Sequence, residues 1–187
     1  MDEEQSSTTY VLVDGENVDA TLGSSILGRR PHPEERPRWD RLLRFAEREW
    51  EQPVKGLFFL ASNGELPMSF IQALVSIGYR PVPLTGAPDE KVVDIAIQRT
   101  LRALRDRDDD VMLVSNDGDF APQVEEVCDG RRVAVVGFRE FRNARFRELV
   151  DDGLELFDLE YDVEAFTSPL PRLRVIPIAE FDPLDFL

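Results

Sequence analysis

Short apolar runs alternate along the chain with stretches of helical period. Residues 10–13 form an unbroken apolar run that stops at Asp14, the pattern of a short strand buried on both faces. Over residues 39–50, Trp39, Leu42, Leu43, Phe45, Ala46 and Trp50 recur at helix spacing, and residues 54–60 read as a second strand. A helix is predicted over 67–77, opened by Pro67, which suits a first helical turn, and stopped by Gly78. Residues 80–84 make a third, short strand whose Pro81 and Pro83 favour a sheet edge. Val93, Ala96, Ile97, Leu101 and Leu104 lay one apolar stripe along a helix over 89–105. A strand at 111–114, a helix at 120–128 and a strand at 132–136 complete the repeat. Strands and helices in this alternation predict an α/β fold with a mostly parallel central sheet of about five strands.

Two stretches break the pattern. Residues 23–37 carry Gly, Ser, Pro, Arg and the lone His32, and read as an inserted loop lying over the sheet's edge or a cleft. Beyond Asp151 no period is sustained; Ser168-Pro-Leu-Pro171 suggests a linker, followed by one more short extended piece over 172–178. The expected organisation is therefore a disordered acidic N-terminus over 1–8, one folded domain over 9–150 and an acidic C-terminal extension over 151–187. A length of 187 residues suits one domain of ordinary globular composition.

Charge adds a restriction and then removes part of it. The formal net charge of -15 argues at first against a polyanionic partner, because phosphate binding rests mainly on Lys and Arg. That charge is unevenly spread. Asp2, Glu3 and Glu4 supply -3; residues 148–187 hold eleven carboxylates against Arg172 and Arg174, which is -9; residues 5–147 keep only -3. Within them arginines bunch over 29–48, 99–107 and 139–147. The last bunch interleaves Phe138, Phe141 and Phe146 with Arg139, Arg142, Arg145 and Arg147, which suits either phosphate docking with base stacking or an amphipathic helix with its aromatics turned inward. The single Cys128 excludes an intramolecular disulfide and a Cys-based zinc site, and the single His32 excludes a His-rich one, so a metal would take oxygen ligands. No apolar run is long enough to span a membrane and the N-terminus lacks a basic leader, so a soluble, cytoplasmic protein is expected.

The carboxylates fall where such a metal could sit. In open parallel α/β sheets ligands bind beyond the carboxyl ends of the strands. Asp14 directly follows the first strand in Val13-Asp-Gly-Glu-Asn17, and Asp117 and Asp119 directly follow the fourth in Ser115-Asn-Asp-Gly-Asp119. Asp94, with Lys91 and Gln98, lies opposite the apolar stripe of its helix and so toward the same rim. Either cluster alone also reads as a turn with a helix cap. Together, if strands one and four are neighbours, they converge, and several carboxylates in a poorly solvated cleft stay ionised only if a cation offsets them. An all-oxygen set favours Mg²⁺ or Mn²⁺.

Val11-Leu-Val-Asp-Gly-Glu-Asn-Val18, Lys91-Val-Val-Asp-Ile95, Leu113-Val-Ser-Asn-Asp-Gly-Asp-Phe120 and Val133-Ala-Val-Val-Gly-Phe138, in that order, resemble an NYN domain of the PIN-like nuclease superfamily over roughly residues 10–150. The resemblance implies a Rossmann-like, PIN-type three-layer α/β/α sandwich and metal-dependent cleavage of RNA, with single-stranded RNA as the expected partner. It matches Asp14, Asp94, Asp117 and Asp119 to the family's acidic cluster, Asn17 to the polar residue after the first Asp, and Ser115 to the small hydroxyl residue before the second acidic motif. Asn116 stands where many members have Gly. The expectation is an endoribonuclease in RNA processing or decay, with Asp14, Asp94, Asp117 and Asp119 as metal ligands and these plus Asn17 as the catalytic set. Asn17, Lys91, Ser115, Arg139, Arg142 and Arg145 are the expected substrate contacts. A non-catalytic RNA-binding or regulatory module on the same fold is the alternative; a phosphotransfer enzyme fits less well, since Asp14-Gly-Glu16 lacks the paired Asp of an aspartyl nucleophile and acid. The acidic extension either folds back over Arg139–Arg147 or offers residues 181–187 to a protein partner.

Overall fold

The computed structural model describes residues 7–172 and 176–187. Its centre is a parallel sheet of six strands: β1 (Thr9–Asp14), β2 (Val54–Ala61), β3 (Tyr79–Leu84), β4 (Asp110–Val114), β5 (Val133–Gly137) and β6 (Leu154–Asp158), in the spatial order β3-β2-β1-β4-β5-β6. The chain builds outward from β1 to β3, then returns to β4 on the other side of β1 and builds outward again. The switch therefore falls between β1 and β4, which pair with Leu12 opposite Leu113 and Val13 opposite Val114.

Strict alternation divides the apolar residues between two layers. Val11, Val13, Met112, Val114, Ala134 and Val136 face one side, against α1 (Gly15–Ala20), α2 (Trp39–Trp50) and α3 (Met68–Ile77). Leu12, Val111, Leu113, Val133 and Val135 face the other, against α4 (Val92–Arg105), α5 (Ala121–Val127) and α6 (Ala144–Glu148). Both faces of the central strands are covered, which is why they read as continuous apolar runs rather than alternating ones. The expected α/β/α sandwich is the observed fold.

Three details go beyond the expected outline. The π-helical turn Thr21–Leu27 extends α1 into the stretch expected to be a loop, with Leu22 buried and Ile26 and Leu27 packed on the core. The β3 edge is closed by its prolines: Ser62 N donates to Leu84 O at 2.6 Å, so the alternate residues, Pro81 and Pro83 among them, face outward and offer no N–H to a further strand. The third detail is β6, a strand beyond the boundary expected at 150. It pairs with β5 from Leu154 opposite Val133 to Asp158 opposite Gly137. Its sequence, Leu-Glu-Leu-Phe-Asp, is short and carries acids at two of five positions, as an edge strand can, and so lacks the apolar signature of the central strands.

Past β6 the chain doubles back over the layer formed by α2. Leu159, Val163 and Ala165 are buried, Phe157 packs edge-on against Phe45, and Phe166 stacks on Phe138. Arg38 N donates to Ala165 O at 2.6 Å and Arg41 to Glu164 O at 2.7 Å. Arg172 closes this strap. Its side chain, 3% exposed, lies 3.1 Å from Asp158, 3.3 Å from Glu160 and 3.5 Å from Glu140, with its guanidinium over the rings of Tyr161 and Phe138. Most of the expected acidic N-terminus, residues 1–6, and part of the expected extended piece, residues 173–175, lie outside the described residues.

Removing one side of a buried ion pair leaves the other uncompensated, at a cost of about 3–5 kcal/mol. Arg172→Ala leaves the buried Asp158 in that condition and takes the cation from the half-buried Glu160. Calorimetric melting should show a thermal midpoint lower by about 10 °C or more, given ~2–4 °C per kcal/mol for a domain of this size.

Candidate active site

Asp14 ends β1 and begins α1, and both roles act on the same carboxylate. One oxygen accepts from Asn17 N at 3.3 Å as a helix cap; the other accepts from the Ser115 hydroxyl at 3.0 Å. The Ser115 contact follows from register: with Val13 opposite Val114, the next residues of β1 and β4 emerge side by side. Asp14 is 2% exposed. Burial is the main reason its carboxyl is raised from 3.8 to about 6; the bonds from Asn17 and Ser115 oppose the rise, and the charges of Asp94 and Asp117 reinforce it.

The loop after β4 is tied down on both sides. Ser115 Oγ accepts from Asp117 N at 3.1 Å while donating to Asp14, and Asp117 caps the next turn by accepting from Asp119 N at 2.9 Å. Asn116 N donates to Asn17 Oδ1 at 2.8 Å, and Asn116 Oδ1 accepts from Phe138 N at 3.0 Å. Gly137 makes this last bond possible, since a β-carbon there would collide with Asn116 Oδ1. One chain of hydrogen bonds thus runs from α1 through the β4 loop to the end of β5.

Above this network lies a cleft of about 430 Å³, lined by Asp14, Glu16, Asn17, Asp94 and Asp117 on one side and by Asn63 and residues 86–91 on the other. Asp94 stands in the first turn of α4, 3.9 Å from Lys91. Its carboxyl is also raised, first by burial, then by Asp117, Asp119 and Glu16, with Lys91 opposing. Both carboxyls thus feel the charge of Asp117, and Asp14, Asp94 and Asp117 line one cleft, while Asp119, expected beside them, does not. Among the described residues, no three His, Cys, Asp or Glu side chains are close enough to enclose an ion by themselves.

The remaining expected site residues are distributed around this centre. Asp119 is exposed at the edge of the loop and does not line the cleft. Ser115 is buried beneath Asp14, where it orders carboxylates rather than meeting solvent. Lys91 lines the cleft. Arg139 and Arg145 are exposed at the end of β5, outside the cleft, with the Arg139 guanidinium over the Tyr161 ring. Arg142 is instead turned into the body, where it donates to Phe157 O, and burial lowers its pKa. Phe138 and Phe146 are fully buried, so of the three aromatics in this segment only Phe141 is exposed. The inward-packed reading of the segment therefore holds for two of its three rings.

Glu16, Asn63, Asp89 and Glu90 complete the cleft and were not among the expected site residues. Their signal was present: Asn63 follows β2 and residues 86–91 follow β3, the same strand-end rule that found Asp14 and Asp117. Asn116 could be found only through its contact with Gly137, which is not visible in one dimension.

The chain is similar in fold to a crystal structure of a protein of unknown function from Vibrio parahaemolyticus, with 22% identity and a TM-score of 0.65 over 87% of this chain and 98% of that one. No curated protein matches it. The family model for the NYN domain matches residues 8–157, nearly the whole sheet together with every cleft residue named above, and the chain belongs to the NYN domain family.

Proposed function

We propose that the cleft is the active site of a metal-dependent endoribonuclease that cleaves single-stranded RNA in RNA processing or decay. The observation that carries this reading is the convergence of Asp14, Asp94 and Asp117 on one cleft at the β1–β4 switch, where the charge of Asp117 adds to burial in raising the carboxyls of Asp14 and Asp94. The donor set is all oxygen and anionic, which suits Mg²⁺ or Mn²⁺; since no three of these side chains enclose an ion by themselves, part of its shell would be water, as is usual for Mg²⁺.

Asp14, Asp94 and Asp117 would hold the ion, with Asp119 at the edge as a further carboxylate. When bound, such an ion supplies Lewis-acid stabilisation of phosphate charge and a water of lowered pKa. The chain's own part is positioning. Ser115 holds Asp14 and the Asp117 backbone at once, so the two ligands keep a fixed relation. Asn17 caps nothing with its side chain but locks α1 to the β4 loop, and its place on the cleft wall lets it meet a phosphate. Lys91 is the cation on the cleft wall, and Arg139 and Arg145 lie beyond it for the phosphates that follow. Neither Cys128 nor His32 serves the cleft: Cys128 is half-buried with its thiol pushed up to about 11, and His32 is exposed on the 310 turn that opens at Pro33, away from the cleft.

A non-catalytic RNA-binding role is favoured by a single observation, the absence among the described residues of a closed three-ligand cluster. Cleavage of a fluorescent single-stranded RNA in Mn²⁺ separates the two. Asp14→Asn and Asp117→Asn should each abolish cleavage without unfolding the protein, and Ser115→Ala should lower it ~10–100-fold, as loss of a ligand-orienting bond does. Equal cleavage by wild type and both Asn variants would remove the proposed site.

The raised carboxyl of Asp14 has its own signature in stability. Because the folded state holds this proton more tightly than the unfolded chain, stability from this group is highest below about pH 4 and falls as pH rises toward 6. In metal-free protein at pH 7.5, Asp14→Asn should therefore raise the unfolding free energy, by up to ~3 kcal/mol for a shift of this size. Denaturant titrations across pH should show that gain shrinking toward zero near pH 4.

A further inference from the structure

The carboxyl-terminal rim of the sheet carries a gradient of charge. Loops rise from the strands in the order β3-β2-β1-β4-β5-β6, so the rim runs from residues 85–91 and Asn63, through Asp14, Glu16 and Asp117, to Arg139–Arg147. On the first flank Asp89 and Glu90 line the cleft, and the one cation there, Lys91, lies 3.9 Å from Asp94. Glu90 is fixed in place: it accepts from Ala87 N at 3.0 Å, and Gly86 lacks the β-carbon that would collide with the Glu90 carboxylate. On the opposite flank Arg139, Arg145 and Arg147 are exposed, and among the described residues neither Arg145 nor Arg147 has a carboxylate partner. Glu140, the acid among them, is engaged by Arg172 at 3.5 Å.

A polynucleotide brings a negative charge with every residue, and each phosphate held near a carboxylate rather than an arginine changes affinity several-fold at low salt. The β3 flank lies two strand spacings from β1, about 10 Å, which is room for roughly one or two nucleotides before the acids are met. We infer that the rim admits a single strand from one flank only: its backbone runs from the cleft over residues 115–119 toward Arg139, Arg145 and Arg147, while Asp89 and Glu90 turn away a strand that continues past β3. The substrate is then a single-stranded RNA whose scissile bond lies close to an end, and Asp89 and Glu90 are the specificity-determining residues. This inference rests on the proposed nuclease reading of the same cleft.

The experiment compares a linear and a circular oligoadenylate of equal length, each fluorescently labelled, with the full chain in Mn²⁺ at low salt. Cleavage of the linear RNA should fall within a few nucleotides of one end, and the circle should be cut about tenfold more slowly or worse. Asp89→Lys combined with Glu90→Gln, which keeps an acceptor for Ala87 N, should bring the circle to within about threefold of the linear RNA and spread the cuts inward. Arg145→Glu with Arg147→Glu should weaken binding of both RNAs, read by fluorescence anisotropy, with melting curves confirming that each variant folds. Cleavage of the circle at the linear rate by wild type, or an unchanged pattern in the Asp89/Glu90 variant, overturns the inference. If neither RNA is cut yet anisotropy still shows the linear form preferred, with that preference lost in the Asp89/Glu90 variant, the nuclease reading falls and the one-sided rim stands. Equal binding of the two forms without cleavage overturns both.

Discussion

The pairing of β1 with β4 is the contact on which the rest depends. These strands are about a hundred residues apart in sequence, and the chain between them is wound outward through β2 and β3 and brought back. Once Val13 stands opposite Val114, Asp14 and Ser115 emerge together without further instruction, and α1 and the β4 loop begin from adjacent points. A slip of one residue would turn each apolar side chain of β1 to the opposite layer, so the two cores on either side of the sheet hold the site in register. The chemistry at the rim is thus protected by packing several layers below it.

That protection has a cost in the same place. Burial opposes the charge of Asp14 more strongly than the hydrogen bonds from Asn17 and Ser115 favour it, and the charges of Asp94 and Asp117 add to that opposition. A fold selected only for stability would put a neutral residue at the end of β1. Raised carboxyls on Asp14 and Asp94 at one cleft are more than a capped turn requires. The turn-and-cap interpretation holds for Asp14, which caps α1, and for the turn after β4, where Asp117 accepts from Asp119 N, but α5 itself has no side-chain cap.

Much of this was legible in one dimension because the informative residues sit at strand ends. The apolar runs located five of six strands, and helix α2 falls on the residues its periodicity indicates. The sixth strand was missed because an edge strand with Glu155 exposed has no continuous apolar run to announce it. Arg142 shows a related effect: an arginine between aromatics looks like a phosphate ligand, yet here β6 brings Phe157 O to its guanidinium. Asp89 and Glu90 obey the same strand-end rule, but only the placement of β3 beside β2 brings that turn to the cleft at the end of β1.

The contact between Asn116 and Gly137 carries a consequence for how sequences of this family can drift. The side chain of one residue occupies the space that the other leaves vacant, and the bond to Phe138 N spans the two strands. Neither position can change freely while the other stays as it is. A lineage that shortens residue 116 to glycine releases residue 137 to acquire a side chain, whereas one that keeps asparagine must keep glycine across from it. Residue 137 is thus closed to any side chain for as long as residue 116 is asparagine.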